Sequence, residues 1–223
     1  MLVLEELGLN GLKIYQDDEL YRFTSDAVVL TKFASNRKGD VVADFCSGSG
    51  IVGLHYYALN NSVKSVDLIE IQPELANLSK KSVEINGLED KFTVINSPLQ
   101  SLSKELNGKY SLILCNPPYK KVNSGEVNLN EKIAMCRHEV TITQREIVEV
   151  AYKKLKHGGR LCMCQRTERF IELISDMLSV GLNPTRIQMV TGKPGGKPYL
   201  VMIEAFKGVS PQVKVLKDYV NGD

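Results

Sequence analysis

From residue 39 onward the chain alternates short apolar runs with stretches of helical periodicity, the pattern of βαβ units and a largely parallel sheet. Seven runs read as strands: Val41–Cys46, Ser65–Ile71, Lys91–Asn96, Tyr110–Asn116, Arg160–Gln165, Thr185–Val190 and Pro198–Phe206. Between them, Pro73 stands at a helix start and Asn86-Gly87 at its end, with Leu75, Leu78, Ser82 and Ile85 on one stripe. Thr143-Gln144-Arg145-Glu146 reads as a capping box opening a helix whose inner face carries Ile147, Ala151 and Leu155 and which stops at Gly158-Gly159. Thr167 is a candidate cap for the next helix, with Phe170, Ile174 and Leu178 facing inward and Gly181 closing it. Two stretches break the alternation. Residues 1–38 mix helical and turn signals, and residues 120–140 form a polar loop of the length that is usually functional or disordered. The segment 208–223 is weakly patterned.

A length of 223 residues suits one large domain that buries its own core without disulfides or a structural metal. The longest apolar runs, such as Leu112–Cys115 and Leu200–Ile203, fall far short of the roughly 20 residues that cross a bilayer. The opening Met1-Leu2-Val3-Leu4-Glu5-Glu6 lacks a basic segment followed by an apolar core, so no signal peptide and a cytoplasmic location are expected. Five cysteines (46, 115, 136, 162 and 164) without a C-x-x-C spacing fit small buried hydrophobes in a reducing compartment. Cys162 and Cys164 share a strand face with His157 nearby, but zinc-type ligand spacing is missing and no metal is expected. The net charge of +2 hides an asymmetry. Residues 1–115 carry 11 Lys+Arg and 15 Asp+Glu, whereas residues 116–223 carry 17 and 11. A basic second half hints at a polyanionic partner, and solvated helix faces would explain it equally well.

Two clusters carry candidate chemistry, both at strand ends. Asp44-Phe45-Cys46-Ser47-Gly48-Ser49-Gly50-Ile51-Val52-Gly53 leaves the first strand, opens a helix and contains G-x-G-x-x-G, glycines that let the backbone turn tightly and approach a ligand. Glu70 ends the second strand, where a carboxylate can accept from two ribose hydroxyls, with Ile71 beside it. Dinucleotide dehydrogenases and methyltransferases both use this arrangement. The second cluster is Asn116-Pro117-Pro118-Tyr119 at the end of the fourth strand. The Asn116 side-chain oxygen and the Pro117 carbonyl can accept the two N–H groups of an exocyclic amine or amide and aim its delocalised lone pair, which is positioning rather than strong-base catalysis. Tyr119 can stack on a flat substrate.

The Asp44–Gly50 loop resembles the first motif of class I methyltransferases, and N-P-P-Y resembles the signature of enzymes that methylate amino groups. Leu12–Gln16 with Tyr21–Leu30, Cys136-Arg137-His138-Glu139, and Lys193-Pro194-Gly195-Gly196-Lys197-Pro198 are similar to segments of the tRNA1(Val) adenine-37 N6-methyltransferase family, over roughly residues 5–207. That resemblance implies a Rossmann-like α/β fold: a seven-stranded, mostly parallel sheet with an antiparallel last strand and helices on both faces. It implies S-adenosyl-L-methionine as cofactor, held by Phe23, Thr24, Ser25, Asp26, Asp44, Cys46, Ser47, Gly48, Gly50, Glu70, Ile71 and Ser97. The expected acceptor is an adenine in structured RNA, most naturally tRNA. Lys120, Lys121, Arg137, His138, Arg166, Arg169, Lys193 and Lys197 are candidates to receive it. The chain then divides into an N-terminal cover over the cofactor pocket (1–38), a catalytic domain (39–207) and a tail (208–223). Two departures stand out: Cys46 replaces the first glycine of the family's loop, and Asn96-Ser97-Pro98 stands where many relatives carry an acid facing the cofactor's adenine. The same machinery serves other acceptors, namely a protein glutamine amide, DNA adenine or an rRNA guanine amine, and a non-catalytic RNA-binding relative would share the fold.

Overall fold

The computed structural model describes residues 2–18, 20, 25–117, 119, 142–209 and 212–222. The chain opens with an antiparallel hairpin, β1 (Leu2–Glu6) and β2 (Lys13–Asp17), which forms its own two-stranded sheet. This hairpin and helix α1 (Ser25–Phe33) occupy the stretch that carried only mixed signals. What orders the hairpin is a neighbour far along the chain. Helix α3 (Pro73–Ile85) presents Ser82 and, just past its end, Asn86, one turn apart. Ser82 Oγ accepts Tyr15 N–H at 2.9 Å, and the Asn86 amide both accepts Lys13 N–H at 2.9 Å and donates to its carbonyl at 2.7 Å. Two helix side chains thus satisfy backbone groups of β2 as a strand would.

The seven expected strands appear as β3 (Val41–Phe45), β4 (Ser65–Glu70), β5 (Phe92–Asn96), β6 (Tyr110–Cys115), β7 (Leu155–Arg166), β8 (Leu182–Thr191) and β9 (Pro198–Lys207). Their order across the sheet is β8-β9-β7-β6-β3-β4-β5, with β9 antiparallel to both neighbours and the central pairs parallel. Two short strands from the weakly patterned end, β10 (Lys214–Val215) and β11 (Tyr219–Val220), pair in parallel with the outer edge of β8. Alternate residues of the central strands feed opposite faces. Leu112, Leu114, Cys162 and Cys164 meet α1 and α2 (Ile51–Leu59), while Ile113, Cys115 and Met163 meet α4 (Gln144–Lys154) and α5 (Phe170–Val180).

Several local expectations are corrected by tertiary context. The capping box at Thr143 forms, but α4 ends at Lys154, four residues before Gly158, because Leu155 turns extended and pairs with Tyr110 as the start of β7. Thr167 does not cap α5; it lies in a 3-10 turn and donates its hydroxyl to Pro198 O at 3.2 Å. On α5, Leu173 and Met177 are buried and Phe170 and Ile174 pack partly buried against the same core as expected, whereas Leu178 is exposed, as is Ile85 at the end of α3. At the opposite edge from the glycine loop, fully buried Arg160 donates to both Asp40 oxygens at 2.6 and 3.1 Å, to Ser35 Oγ at 2.9 Å and to Ser111 O at 3.2 Å. It also lies 3.7 Å from the Glu204 carboxylate, tying together β3, β6, β7 and β9. No helix among the described residues is long and apolar enough to cross a membrane.

Candidate active site

The chain runs from β3 outward to β4 and β5 on one side and from β6 to β7 on the other, so the sheet changes direction between β3 and β6. Crevices at such points are where open α/β sheets bind ligands. Phe45 and Cys115 are register partners there, which sets the glycine loop beside Asn116.

On the β3 side the backbone turns through left-handed conformations at Cys46 (φ 59°), Gly48 (φ 56°) and Gly50 (φ 90°). For the non-glycine Cys46 such a φ costs on the order of 1 kcal/mol. The loop is held from outside: Gly48 N–H donates to Glu70 Oε2 at 2.8 Å, Ser47 N–H to Ile69 O at 3.0 Å, and Ser79 Oγ to Gly48 O at 2.9 Å. The other Glu70 oxygen accepts Gln72 N–H at 2.9 Å. Burial raises the Glu70 pKa and these N–H groups oppose the rise. Asp44 is fully buried; its Oδ2 accepts Gly53 N–H at 2.8 Å, and its Oδ1 has no hydrogen-bond partner among the described residues. Burial pushes its carboxyl up to about 8, with the Gly53 N–H working against and the Glu70 charge adding to the rise. Ser47 Oγ is likewise buried without a partner among the described residues. The third glycine of the motif has a packing reason, since a Cβ on Gly53 would lie 2.4 Å from Leu68 Cδ2. At the end of β5, Ser97 is half-buried and its hydroxyl donates to Pro98 O at 3.1 Å, while the Asn96 amide holds the carbonyls of Glu70 and Ile71 at 2.8 and 3.0 Å.

On the β6 side, Asn116 Oδ1 accepts Tyr119 O–H at 2.5 Å and the Cys164 thiol at 3.0 Å. The Tyr119 hydroxyl also lies 3.4 Å from Asp26 Oδ2. Arg166 sets its guanidinium 5.2 Å from the Tyr119 ring centroid and 5.8 Å from that of Tyr199. Burial raises the Tyr199 phenol, which accepts from the Asn221 amide at 2.7 Å and hydrogen-bonds Asp26. Asn221 donates at 2.8 Å to Ser25 Oγ as well. Ser25 and Asp26, expected at the cofactor, stand on this side of the site, Asp26 beside the Tyr119 and Tyr199 hydroxyls and Ser25 on Asn221. Arg169 is mostly buried, pairs with Glu172 at 3.0 Å and reaches Tyr119 O at 3.5 Å, which makes it a support for the site rather than a free phosphate contact. Lys193 and Lys197 are exposed on the turn from β8 to β9, at the same sheet edge as Asn116. Phe23, Thr24, Pro118, Lys120, Lys121, Arg137 and His138 lie outside the described residues. Sequence patterning did not single out Cys164, Tyr199 or Asn221 for the site. Cys164 read as a core thiol, and Asn221 fell in the segment with no periodic signal. Among the described residues no group of three or more His, Cys, Asp or Glu is arranged to hold a metal ion.

Known proteins are similar to this chain in sequence and in fold. A tRNA1(Val) (adenine(37)-N6)-methyltransferase of Shewanella sp. (strain W3-18-1) is 25% identical over 199 residues, covering 86% of this chain and 82% of that protein. One of Parabacteroides distasonis is 22% identical over 86% of this chain and 79% of its own length. A release factor glutamine methyltransferase of Leptospira interrogans is 27% identical over 72% of this chain and 58% of its own. Among solved structures, a predicted O-methyltransferase of Agrobacterium tumefaciens superposes with a TM-score of 0.68 at 18% identity, covering 88% of each chain. The M. jannaschii tRNA m1G37 methyltransferase superposes with a TM-score of 0.62 at 18% identity over 94% of this chain and 55% of that one. The fold is thus the Rossmann-like fold of class I methyltransferases. Residues 24–179 match the methyltransferase small domain, and the chain belongs to that family.

Proposed function

We propose that this protein is an S-adenosylmethionine-dependent methyltransferase that methylates N6 of an adenine in tRNA. The observation that carries the reading is the side-by-side position of two acceptor sets at the switch point, Asp44 and Glu70 against Asn116 and Pro117. The first set fits the cofactor. Asp44 Oδ1 and Ser47 Oγ, which have no partner among the described residues, suit the polar, zwitterionic end of its amino-acid moiety. Glu70 suits the ribose hydroxyls, and open space in front of Gly48 lets the loop backbone come close. The bound cofactor supplies an electrophilic methyl group on a sulfonium centre. Asn116 Oδ1 and the Pro117 carbonyl accept the two N–H bonds of the target amine and point its lone pair at that methyl group. Once methylated, the nitrogen is acidic enough to lose its proton to solvent, so the chain needs no strong base. Tyr119 offers a ring for stacking on the base, and Arg166, Lys193 and Lys197 are the basic groups at the same rim.

The relatives named as tRNA adenine-N6 enzymes support RNA as the acceptor. A second reading, methylation of a protein glutamine amide, is favoured by the Leptospira relative, because a primary amide presents the same pair of N–H bonds. Incubation with labelled cofactor and total unmodified tRNA, followed by nucleoside analysis, separates them. N6-methyladenosine is expected. Label in a protein glutamine and not in tRNA supports the second reading, and label in neither refutes both.

A further inference from the structure

We infer that the Tyr119 hydroxyl caps the acceptor oxygen of Asn116 in the resting protein and is handed over to Asp26 when an acceptor amine binds. The inference rests on the methyltransferase reading of Asn116. An amide oxygen has two lone pairs, and here both are taken, by the Cys164 thiol at 3.0 Å and the Tyr119 hydroxyl at 2.5 Å. A target amine that bonds to Asn116 Oδ1 must displace one of them.

The two donors differ in how they can leave. Cys164 is fully buried on β7, and burial pushes its thiol up to about 12, so it remains a protonated donor at neutral pH. Its sulfur also lies 3.3 Å from the Tyr119 hydroxyl and 3.8 Å from the Cys115 carbonyl. Cys164 is therefore a positioning residue that fixes which end of the Asn116 amide faces β7. Tyr119 is half-buried at the rim, and its single hydroxyl hydrogen has a second acceptor within reach, Asp26 Oδ2 at 3.4 Å. A carboxylate is a stronger acceptor than an amide, so the exchange is inexpensive. The ring need only pivot. Arg166 stays over it at 5.2 Å, and Asp26 is kept in place by its hydrogen bond with Tyr199 and by the start of α1. Asp26 is then a second positioning residue, acting on Asn116 only through the Tyr119 hydroxyl.

Two measurements test this. First, the unfolding equilibrium of the protein without ligands is measured for Tyr119→Phe, Asn116→Ala and the double variant. The cap predicts a coupling of about fivefold in the unfolding constant, the net worth of one hydrogen bond; additive effects overturn the cap whatever the substrate proves to be. Second, methyl transfer to unmodified tRNA is followed in steady state. Tyr119→Phe keeps the ring and removes the competitor, so its acceptor KM should fall about fivefold with kcat retained. Asp26→Asn should raise the acceptor KM severalfold in the parent enzyme and leave it unmoved in the Tyr119→Phe background. A raised KM in Tyr119→Phe, or an Asp26→Asn effect of equal size in both backgrounds, overturns the hand-over. If the parent enzyme methylates neither tRNA nor a protein glutamine, the functional reading fails and the hand-over fails with it, while the unfolding cycle still decides the resting contact.

Discussion

Replacing Asp44 by asparagine separates what this residue offers a ligand from what it costs the fold. The native carboxyl is fully buried, with one oxygen on Gly53 N–H at 2.8 Å and the other without a partner among the described residues. Burial moves its pKa from 3.8 to about 8. Between those values the folded protein holds a proton that the unfolded chain releases. Stability from this group is complete at the acid end of the window and is lost as pH rises, by about 1.4 kcal/mol per unit, until the folded group itself ionises. At about pH 7 the accumulated cost is on the order of 4 kcal/mol. Asparagine needs no proton and still accepts from Gly53, although its second amide hydrogen adds an unpaired donor worth about 1 kcal/mol. Asp44→Asn should therefore be more stable than the parent by about 3 kcal/mol near neutrality, an advantage that shrinks by about 1.4 kcal/mol for each unit toward about pH 5. Urea unfolding of both proteins without cofactor reads this directly, and the difference between them cancels every other titrating group. A difference that does not change with pH, or a less stable variant near neutrality, refutes the reasoning. The same residue predicts the calorimetry of cofactor binding. The parent should release close to one proton as Asp44 ionises against the cofactor's ammonium group, whereas the variant should release none and bind roughly 10- to 100-fold more weakly.

Glu70→Gln keeps only one of the two acceptors that hold Gly48 and Gln72 N–H, so it should lose about 1–3 kcal/mol in urea unfolding and weaken cofactor binding; an unchanged dissociation constant removes Glu70 from the cofactor site. Gly53→Ala forces a methyl group to within 2.4 Å of Leu68 Cδ2 and should cost about 1–3 kcal/mol, read as a lower melting temperature; an unshifted melt would show that α2 can move off β4. Arg160→Met leaves Asp40 buried without its cation, while Glu204 keeps Arg186 at 3.4 Å, and should destabilise by about 3–5 kcal/mol, with part of the loss recovered in the double variant with Asp40→Asn.

The sequence by itself determined the order of elements and the strand ends that carry the chemistry. Seven strands were legible because parallel strands buried on both faces read as short apolar runs, and Asn116, Glu70 and Asp44 were legible because motif glycines and prolines mark where those strands stop. Boundaries that depend on a neighbour were not. Leu155 carries a helical apolar position, yet its pairing with Tyr110 takes it into β7, and the hairpin of residues 2–17 shows no strand signal strong enough to stand without Ser82 and Asn86 of a helix some 70 residues away. Cys46 could be read as a departure from glycine, but only the backbone reveals that it keeps the left-handed turn at φ 59°. The thiol that donates to Asn116 arrives from β7, and the groups clustered around Tyr119 arrive from α1 (Asp26), β9 (Tyr199) and Asn221. Hydrogen bonds and burial between segments so far apart leave no local period in a sequence. Which atom of Asp44 lacks a partner, and which hydroxyl occupies Asn116, was therefore decided by the tertiary structure alone.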